Sequence, residues 1–337
     1  MGTNFYVCGI FYAEAKGEES KYPNLRGRSS AINFQEIYWK NLIVMYASAR
    51  KNNPEAKLVL FTNIDPPTQI IRETLNKIEV SVVILNYKSK PQKNNWESWQ
   101  STFYIIDAFE SIKEKMEKND TVIFLDLDCI VVKSLKPMLK VLEKDKLLKY
   151  ELDYSESHML HGINRLGIMN MIEYATGTKL DSVPKYFGGE LYGVSGKNNA
   201  ECLYKNLKEA WELAQKSEQI TFHTEEHLFN YIFGKLGNQN GNANGYIKRL
   251  WTAYNYRNIE EKDIDLAIWH LPSEKKHGML DIYKEVINEN SEFWTLSNPQ
   301  WAFYIGHKVT IPKRNLSRII TDITKNTIKK LLSVLQK

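Results

Sequence analysis

Short apolar runs alternate with longer amphipathic segments along this chain. The apolar runs at residues 4–12, 57–63 and 80–87 predict buried strands. Between them, apolar residues at helical spacing predict helices at 34–51 and 68–77. This alternation is typical of a doubly wound α/β domain. We therefore predict a Rossmann-like fold, with a mostly parallel central sheet flanked by helices.

Two carboxylates follow the next predicted strand. A helix is predicted at 96–118 and a strand at Thr121–Leu125, after which Asp126 and Asp128 stand with one apolar residue between them. Ligands of open α/β sheets bind beyond the carboxyl ends of the strands, and alternation puts both side chains on one side of an extended backbone. Two hard oxygen ligands here indicate a site for Mg²⁺ or Mn²⁺. The alternative is a pair of solvated or capping aspartates, which the apolar flanking residues disfavour.

Three glutamates in the second half of the chain are candidates for acid–base chemistry. Further elements are predicted in that half: helices at 134–149, at 198–216 and from Thr224 onward, and strands at 186–195 and 265–270. Glu190 lies in the first of these strands, and Glu225 and Glu226 lie in the first turn after Thr224. Each also has a simpler interpretation, as a surface strand residue or as an acid that favours the positive end of a helix.

His270 and Lys276 form the last candidate pair. His270 ends the strand at 265–270, and Lys276 follows six residues later. A neutral imidazole is a good ligand for Mn²⁺, and a nearby lysine can neutralise a diphosphate. The alternative for a single histidine is a residue at the edge of the core.

These stretches together resemble the GT-A nucleotide-sugar glycosyltransferases, of the glycogenin and lipopolysaccharide galactosyltransferase type. The apolar run into Asp126-Leu-Asp128 resembles their metal-binding Asp-x-Asp motif. The strand Tyr186-Phe-Gly-Gly-Glu-Leu is similar to their Phe-Asn-x-Gly strand. The segment Glu225-Glu-His-Leu-Phe-Asn is similar to their Asp-Gln-Asp-x-x-Asn helix start, and His270 to Lys276 to their His-x-x-Gly-x-x-Lys segment.

The chain departs from the motifs of that family at several positions. Gly188 stands where asparagine is usual, Glu190 where a small residue is common, Glu226 at the glutamine position and Ser273 in place of the middle glycine. The helix before Asp126 offers Ser, Thr and Tyr side chains where the family often carries a basic residue. These differences concern the contacts to the donor sugar.

The resemblance implies a GT-A domain over residues 1–312. Its nucleotide-binding half would span about 1–135 and its acceptor half about 136–312. The implied activity is transfer of a sugar from a nucleotide-diphosphate donor, with a UDP-sugar favoured, to a hydroxyl of a glycan or lipid-linked acceptor. Retention at the anomeric carbon is favoured over inversion.

The resemblance also implies roles for the candidate residues. Asp126, Asp128 and His270 would hold Mn²⁺ or Mg²⁺ against the donor diphosphate, and Lys276 would help to neutralise that group. The nucleoside would lie over the ends of the early strands, near three residues: Tyr12, Phe61 and Asn63. One of the three glutamates would stabilise the oxocarbenium-like state, or would deprotonate the acceptor if the enzyme inverts: Glu226, Glu190 or Glu225.

Two other classes of protein share parts of this pattern. A phosphatase or phosphotransferase of the aspartyl-phosphate type also places Asp-x-Asp after an apolar strand, but it would have threonine where Ile130 stands. A non-catalytic protein that binds nucleotide sugars or glycans would keep the fold and lose the metal.

The charge of the chain is concentrated at its C-terminus. The net charge is +5, and residues 313–337 carry seven basic side chains and one acidic one, or +6, which leaves −1 for the remainder. A body without net positive charge argues against nucleic acid as a partner. In the tail, apolar residues recur at helical spacing with lysines between them. This predicts a basic amphipathic helix that lies on an anionic membrane or packs on a second subunit of a homo-oligomer.

The remaining features bear on compartment. The three cysteines form neither a metal-ligand spacing nor an even disulfide set, which indicates a reducing compartment. The first apolar run, at 5–13, lacks the basic leader of a signal peptide, and no apolar stretch is long enough to span a bilayer. We therefore expect a cytoplasmic protein, soluble or peripheral at the cytoplasmic membrane face.

Overall fold

The computed structural model describes residues 3–324 apart from a few segments and single positions: 21–26, 92–99, 238–240, 253–255, 315, 317 and 321–322. In that part of the chain the strands are β1 (Phe5–Phe11), β2 (Lys57–Thr62), β3 (Val80–Ile84), β4 (Thr121–Leu125), β5 (Cys129–Val131), β6 (Leu147–Leu152), β7 (Tyr186–Ser195), β8 (Gly241–Asn242), β9 (Ile247–Arg249) and β10 (Ile268–His270). The helices are α1 (Ile32–Asn52), α2 (Gln69–Lys77), α3 (Ile105–Lys115), α4 (Lys136–Asp145), α5 (Arg165–Thr176), α6 (Lys197–Lys216), α7 (Glu225–Leu236), α8 (Gly278–Val286), α9 (Glu292–Thr295) and α10 (Gln300–Lys308).

The central sheet has seven strands in the order β3-β2-β1-β4-β7-β6-β8. The first four of these run parallel to one another, as helical crossovers require. β7 is antiparallel to both β4 and β6, and β8 is parallel to β6. The predicted α/β class with a mostly parallel sheet flanked by helices is confirmed.

A second, smaller sheet brings β10 beside the residues that follow β4. Its order is β5-β10-β9, with β5 antiparallel and β9 parallel to β10. In this register His270 lies opposite Cys129 on one side and opposite Arg249 on the other. The backbone N–H of Leu271 donates to the carbonyl of Asp128 at 3.0 Å. The residues that follow β4 and β10 are therefore neighbours.

Hydrophobic cores cover both faces of the central sheet, and β4 contributes to each. Ile123 and Leu125 belong to the core that includes most of the buried face of α1. Val122 and Phe124 belong to the core formed with α3, α6 and α7, where Phe109 stacks on Phe124 at 4.5 Å between ring centroids. A strand that is buried on both faces needs the uninterrupted apolar run seen in the sequence.

The helix predicted at 134–149 is shorter than expected. α4 ends at Asp145, Lys146 has a positive φ of 69°, and β6 starts directly after it. The spacing of basic residues at 134–149 is typical of a solvated helical face that would include Lys149. In the structure Lys149 is instead buried in β6, with its ammonium 4.0 Å from the ring centroid of Phe187. Strand pairing with β7 therefore overrides the helical pattern here.

The helix predicted at 96–118 is also shorter. Its first residues lie outside the described part of the chain. From Gln100 to Tyr104 the chain forms a 3₁₀ turn, and α3 ends at Lys115.

No described helix is long and apolar enough to cross a membrane. Described tail residues form helical turns at 318–320 and at 323–324. Most of the predicted amphipathic helix lies outside the described residues, so that helix stays a prediction.

Candidate active site

The structure brings together the three side chains that were predicted to bind a cation. The imidazole Nε2 of His270 lies 3.3 Å from Oδ2 of Asp126 and 3.2 Å from Oδ1 of Asp128. One ligand atom of each residue lies within 4.8 Å of the other two. The antiparallel pairing of β5 with β10 explains this meeting, because it returns the end of β10 to the residues that connect β4 to β5.

Buried polar atoms without hydrogen bonds show that these residues fit a cation. Within the described structure, Oδ1 of Asp128 and both ring nitrogens of His270 are buried and make no hydrogen bond of good geometry. Such atoms are costly unless something satisfies them. The other oxygen of Asp128 accepts a hydrogen bond from Lys275, whereas Asp126 is 46% exposed toward the cavity. Two carboxylate oxygens and one imidazole nitrogen, with an open side, suit Mn²⁺ or Mg²⁺.

The charged groups of this cluster shift one another's pKa values. Burial alone would raise the pKa of the Asp128 carboxyl, but the ammonium of Lys275 and the imidazole of His270 hold that pKa far below its usual range. Burial alone would lower the pKa of His270, but Asp128 and Asp126 raise it well above its ordinary value. Asp128 is therefore ionised, and a divalent cation would compete with the proton that the raised pKa keeps on His270.

Arg249 joins two of the candidate glutamates behind the cation ligands. Its guanidinium pairs with the fully buried carboxylate of Glu190 and, at 3.1 Å, with that of Glu226. Glu190 Oε1 lies 3.2 Å from Nδ1 of His270. Burial would raise the pKa of Glu190, but Arg249 outweighs burial and holds that pKa at about 2. Glu190 is therefore an ionised carboxylate beside Nδ1 of His270, whereas the two aspartates lie beside Nε2.

Glu226 is fixed between β7 and α7. Its Oε1 accepts the backbone N–H of Gly189 at 2.9 Å, and its Oε2 accepts the hydroxyl of Tyr186 at 3.3 Å. A Cβ at position 189 would lie 2.7 Å from Oε1 of Glu225, so that carboxyl would have to shift. The side-chain amide of Asn230 joins α7 to β7. Its Oδ1 accepts the backbone N–H of Phe187 and its Nδ2 donates to the carbonyl of Phe187, each at 2.7 Å. The start of α7 is thus held beside Gly188 and Gly189 of β7.

Glu225 differs from its neighbours in its protonation. Burial and the adjacent carboxylate of Glu226 raise its pKa from 4.5 to about 8. A neutral carboxyl at the cavity wall can donate a hydrogen bond to a hydroxyl, which an ionised one cannot do.

We expect Glu225→Gln to stabilise the protein at pH 8 but hardly at pH 5. Between pH 4.5 and about 8 the folded chain keeps a proton that the unfolded chain has released, so stability falls as pH rises through that window. Glutamine mimics the neutral acid and avoids this loss, which amounts to about 4 kcal/mol at pH 8. Urea unfolding at both pH values measures it. Equal effects of the substitution at pH 5 and pH 8 would contradict the raised pKa.

These groups line one cavity of about 260 Å³ at the carboxyl ends of β1 and β4. Its wall includes the end of β1, the Asp126 region, the Gly189-Glu190 part of β7 and the start of α7. All three candidate glutamates line it, as do Asp126 and His270. The cavity lies where the topology of an α/β sheet places ligands.

The residues predicted to contact the nucleoside have different positions. Tyr12 lines the cavity. Phe61 is fully buried in the core, and Asn63, which is not among the described residues of the cavity wall, binds the backbone of Ala13 at 2.7 and 3.0 Å. Lys276 is exposed and is not among the described residues of the cavity wall, whereas its neighbour Lys275 is.

Sequence reasoning missed the roles of Arg249 and Lys275. The partners of Arg249 come from β7 and α7, which no local pattern connects with β9. One signal existed after strand pairing: Arg249 stands opposite His270 in the β9–β10 register. Lys275 and Lys276 are adjacent, so motif spacing alone could not tell which one turns inward.

His161, in the turn that precedes α5, also lines the cavity. Its backbone has a positive φ of 47°, which is uncommon for a residue with a Cβ. The ring of His223 lies 2.7 Å from the carbonyl of His161, and the ring of His227 lies 3.0 Å from the carbonyl of Leu160. Two histidines from the start of α7 thus hold this turn at the cavity mouth.

Known structures share this architecture. The crystal structure of the galactosyltransferase LgtC in complex with donor and acceptor sugar analogs matches 88% of this chain and 98% of its own, with 13% identity and a TM-score of 0.52. An active-site variant of LgtC matches with the same coverage and a TM-score of 0.53. The chain has the GT-A fold.

A third structure with the GT-A fold extends the comparison. The apo bifunctional glycosyltransferase WbbM matches 87% of this chain and 51% of its own, with 10% identity and a TM-score of 0.52. At the level of sequence, no family model and no curated protein matches this chain. The likeness therefore concerns the fold, and the chemistry must be argued from the site.

Proposed function

We propose that this chain is a metal-dependent glycosyltransferase. It moves a sugar from a nucleotide-diphosphate donor to a hydroxyl of a glycan or lipid-linked acceptor. The observation that carries the proposal is the convergence of Asp126, Asp128 and His270 beside the cavity, with buried ligand atoms that lack hydrogen bonds. The GT-A fold places this cluster at the carboxyl edge of the sheet, beside a cavity built by both halves of the chain.

Asp126, Asp128 and His270 would hold Mn²⁺ or Mg²⁺, which supplies Lewis-acid stabilisation for the departing nucleoside diphosphate. The residues around them preorganise the site. Lys275 binds Asp128 and lines the cavity, so its ammonium adds positive charge on the diphosphate side. This role was assigned to Lys276 from the motif, and the position of Lys275 makes it the better candidate.

The donor would enter with its nucleoside toward the end of β1, where Tyr12 lines the cavity. We propose a UDP-sugar, on the basis of the motif resemblance. The sugar would face Glu225 and Glu226 at the start of α7. Glu226 is held by Gly189 and Arg249, so it is positioned to stabilise positive charge at the anomeric carbon. We propose retention at the anomeric carbon, on the basis of the motif resemblance.

A panel of nucleotide sugars with and without Mn²⁺ tests the proposal. We expect hydrolysis of one donor that depends on the cation, and faster turnover when a suitable glycan or glycolipid acceptor is added. Cation-independent release of phosphate from phosphomonoesters would instead indicate the aspartyl-phosphate class. Binding of a nucleotide sugar with no turnover would indicate a non-catalytic binding protein. The anomeric configuration of the product, read by NMR, decides between retention and inversion.

We further propose that the tail attaches the enzyme to an anionic membrane. Three apolar side chains of the described tail are highly exposed, at 77%, 63% and 58%: Leu316, Ile320 and Ile323. Their spacing places them on one side of a helix, and the basic residues of 313–337 complement anionic lipid. We expect replacement of all three by serine to abolish flotation with vesicles that contain phosphatidylserine. If flotation persists and the wild-type protein is dimeric, the tail packs on a second subunit instead.

A further inference from the structure

Arg318 of the tail reaches a fully buried carboxylate close to the cation site. Its Nη2 lies 3.0 Å from Oε1 of Glu274 and its Nη1 lies 3.4 Å from Oε2. The Glu274 side chain has no exposed surface and the Arg318 side chain only 11%. Two parallel N–H···O contacts between guanidinium and carboxylate are the strong and directional form of this pair.

Glu274 connects several segments through its carboxylate. It accepts a hydrogen bond from the hydroxyl of Thr252, which follows β9, and from the backbone N–H of Gly278 at 2.9 Å, at the start of α8. Gly278 permits this approach, since a Cβ there would lie 3.0 Å from Glu274 Oε2 and 2.6 Å from the carbonyl of Lys308. The carboxylate therefore joins the segment after β9, the start of α8 and the tail.

The loop that carries Glu274 also carries part of the site. It runs over residues 271–277, from the cation ligand His270 to α8, and includes Lys275, which binds Asp128. Its start is fixed by the bond from Leu271 to the Asp128 carbonyl. A residue of α1, Asn41, donates to the carbonyl of Lys275 at 3.1 Å. Arg318 adds a restraint from the opposite end of the chain.

We propose that Arg318 is a positioning residue for the cation site. Its pair with Glu274 holds the 271–277 loop so that Lys275 stays on Asp128 and His270 keeps its place beside both carboxylates. Without the guanidinium, this buried carboxylate loses a cationic partner, which weakens the restraint on the loop. The inference rests on the proposed function in one respect: it treats the Asp126 cluster as a cation site.

An exposed ion pair of the tail, between Lys313 and Glu261, differs from this buried pair. Lys313 lies 2.6 Å from Glu261, but their side chains are 76% and 77% exposed. Exposed pairs of this kind contribute little to stability. The tail therefore contributes to the site through Arg318, in addition to any surface on which its apolar side rests.

Arg318→Met in the full-length protein tests the proposal. We expect faster amide hydrogen exchange across residues 271–278, a Mn²⁺ dissociation constant about 10-fold higher by calorimetry, and a similar loss in kcat/KM for sugar transfer. Groups that orient metal ligands from behind typically change metal affinity 10- to 100-fold. All measurements are made well below the melting temperature of the variant.

Lys308→Met is the matched control. It breaks another ion pair between a late element and α8, the 3.0 Å contact from Lys308 to Glu285, without touching the loop. It should leave loop exchange and cation affinity unchanged. Arg318→Lys keeps the charge but loses the bidentate geometry, so we expect a smaller change in the same direction. This variant replaces Arg318→Met in the test if the methionine variant does not fold.

The outcomes are distinguishable. Wild-type loop exchange and cation affinity in Arg318→Met, with only a lower melting temperature, would overturn the proposal and make the pair merely stabilising. If the wild-type protein transfers no sugar but Arg318→Met still alters loop exchange and Mn²⁺ affinity, the positioning role stands and the proposed function fails. A wild-type protein that binds no Mn²⁺ would overturn both.

Discussion

Asp126→Asn lowers the rate of sugar transfer by about 100- to 1,000-fold and leaves the fold intact. The substitution removes one negative ligand from the cation cluster, and a metal ion contributes several kcal/mol of transition-state stabilisation. Asp126 suits this test because it is 46% exposed. Its replacement therefore buries no unpaired charge. The rate of transfer at saturating donor, with Mn²⁺ varied, is the measurement.

Asp128→Asn would be harder to interpret. Asp128 is fully buried and binds Lys275, so its loss also leaves a buried ammonium without that carboxylate. A matched control is Asp265→Asn, which removes an aspartate that is 78% exposed and pairs with Lys133 on the surface. That variant should keep wild-type transfer. Wild-type transfer by Asp126→Asn at low Mn²⁺ would exclude Asp126 as a cation ligand.

Arg249→Met destabilises the protein by about 3–5 kcal/mol, the usual cost of breaking a buried ion pair from one side. It leaves the carboxylates of Glu190 and Glu226 close together without the guanidinium that joins them. The pKa of Glu190 then rises, so the folded state binds a proton more readily and the loss is larger at pH 8 than at pH 5. Urea unfolding at the two pH values measures both effects.

A double variant checks the cause of this destabilisation. Arg249→Met combined with Glu190→Gln removes both the cation and the most deeply buried carboxylate, so it should recover part of the lost stability and weaken the pH dependence. If the double variant is no more stable than Arg249→Met, lost packing of the long arginine side chain explains the effect. A change below about 1 kcal/mol in the single variant would contradict a strong buried pair.

The sequence predicted much of the fold because the central strands are buried on both faces. Such strands need continuous apolar runs. The predicted ends of β1, β2 and β4 lie within one or two residues of the ends in the structure. The prediction failed where tertiary pairing competes with a local pattern. Lys149 fits a basic helical face, yet it lies in β6 over aromatic rings that come from β7 and α7.

The candidate site was predictable to the extent that its residues follow strand ends. Asp126, Asp128 and His270 each stand at or just after such an end, and the carboxyl edge of the sheet collects them. The role of Arg249 could not be predicted, because it depends on which strand lies beside β10. The inward turn of Lys275 depends on contacts of the 271–277 loop with α1 and the tail, which a linear spacing cannot express.

The small sheet β5-β10-β9 has a consequence for biosynthesis. Its outer strands flank β10, which leaves the ribosome long after Asp126 and Asp128 have been made. A nascent chain can therefore build the early half of the domain without any capacity to capture a divalent ion. An ion that binds only the finished arrangement raises the free energy of unfolding in proportion to the logarithm of its concentration above the dissociation constant. Such an ion would thus stabilise the folded domain only after β10 has been synthesised and has folded against the aspartates.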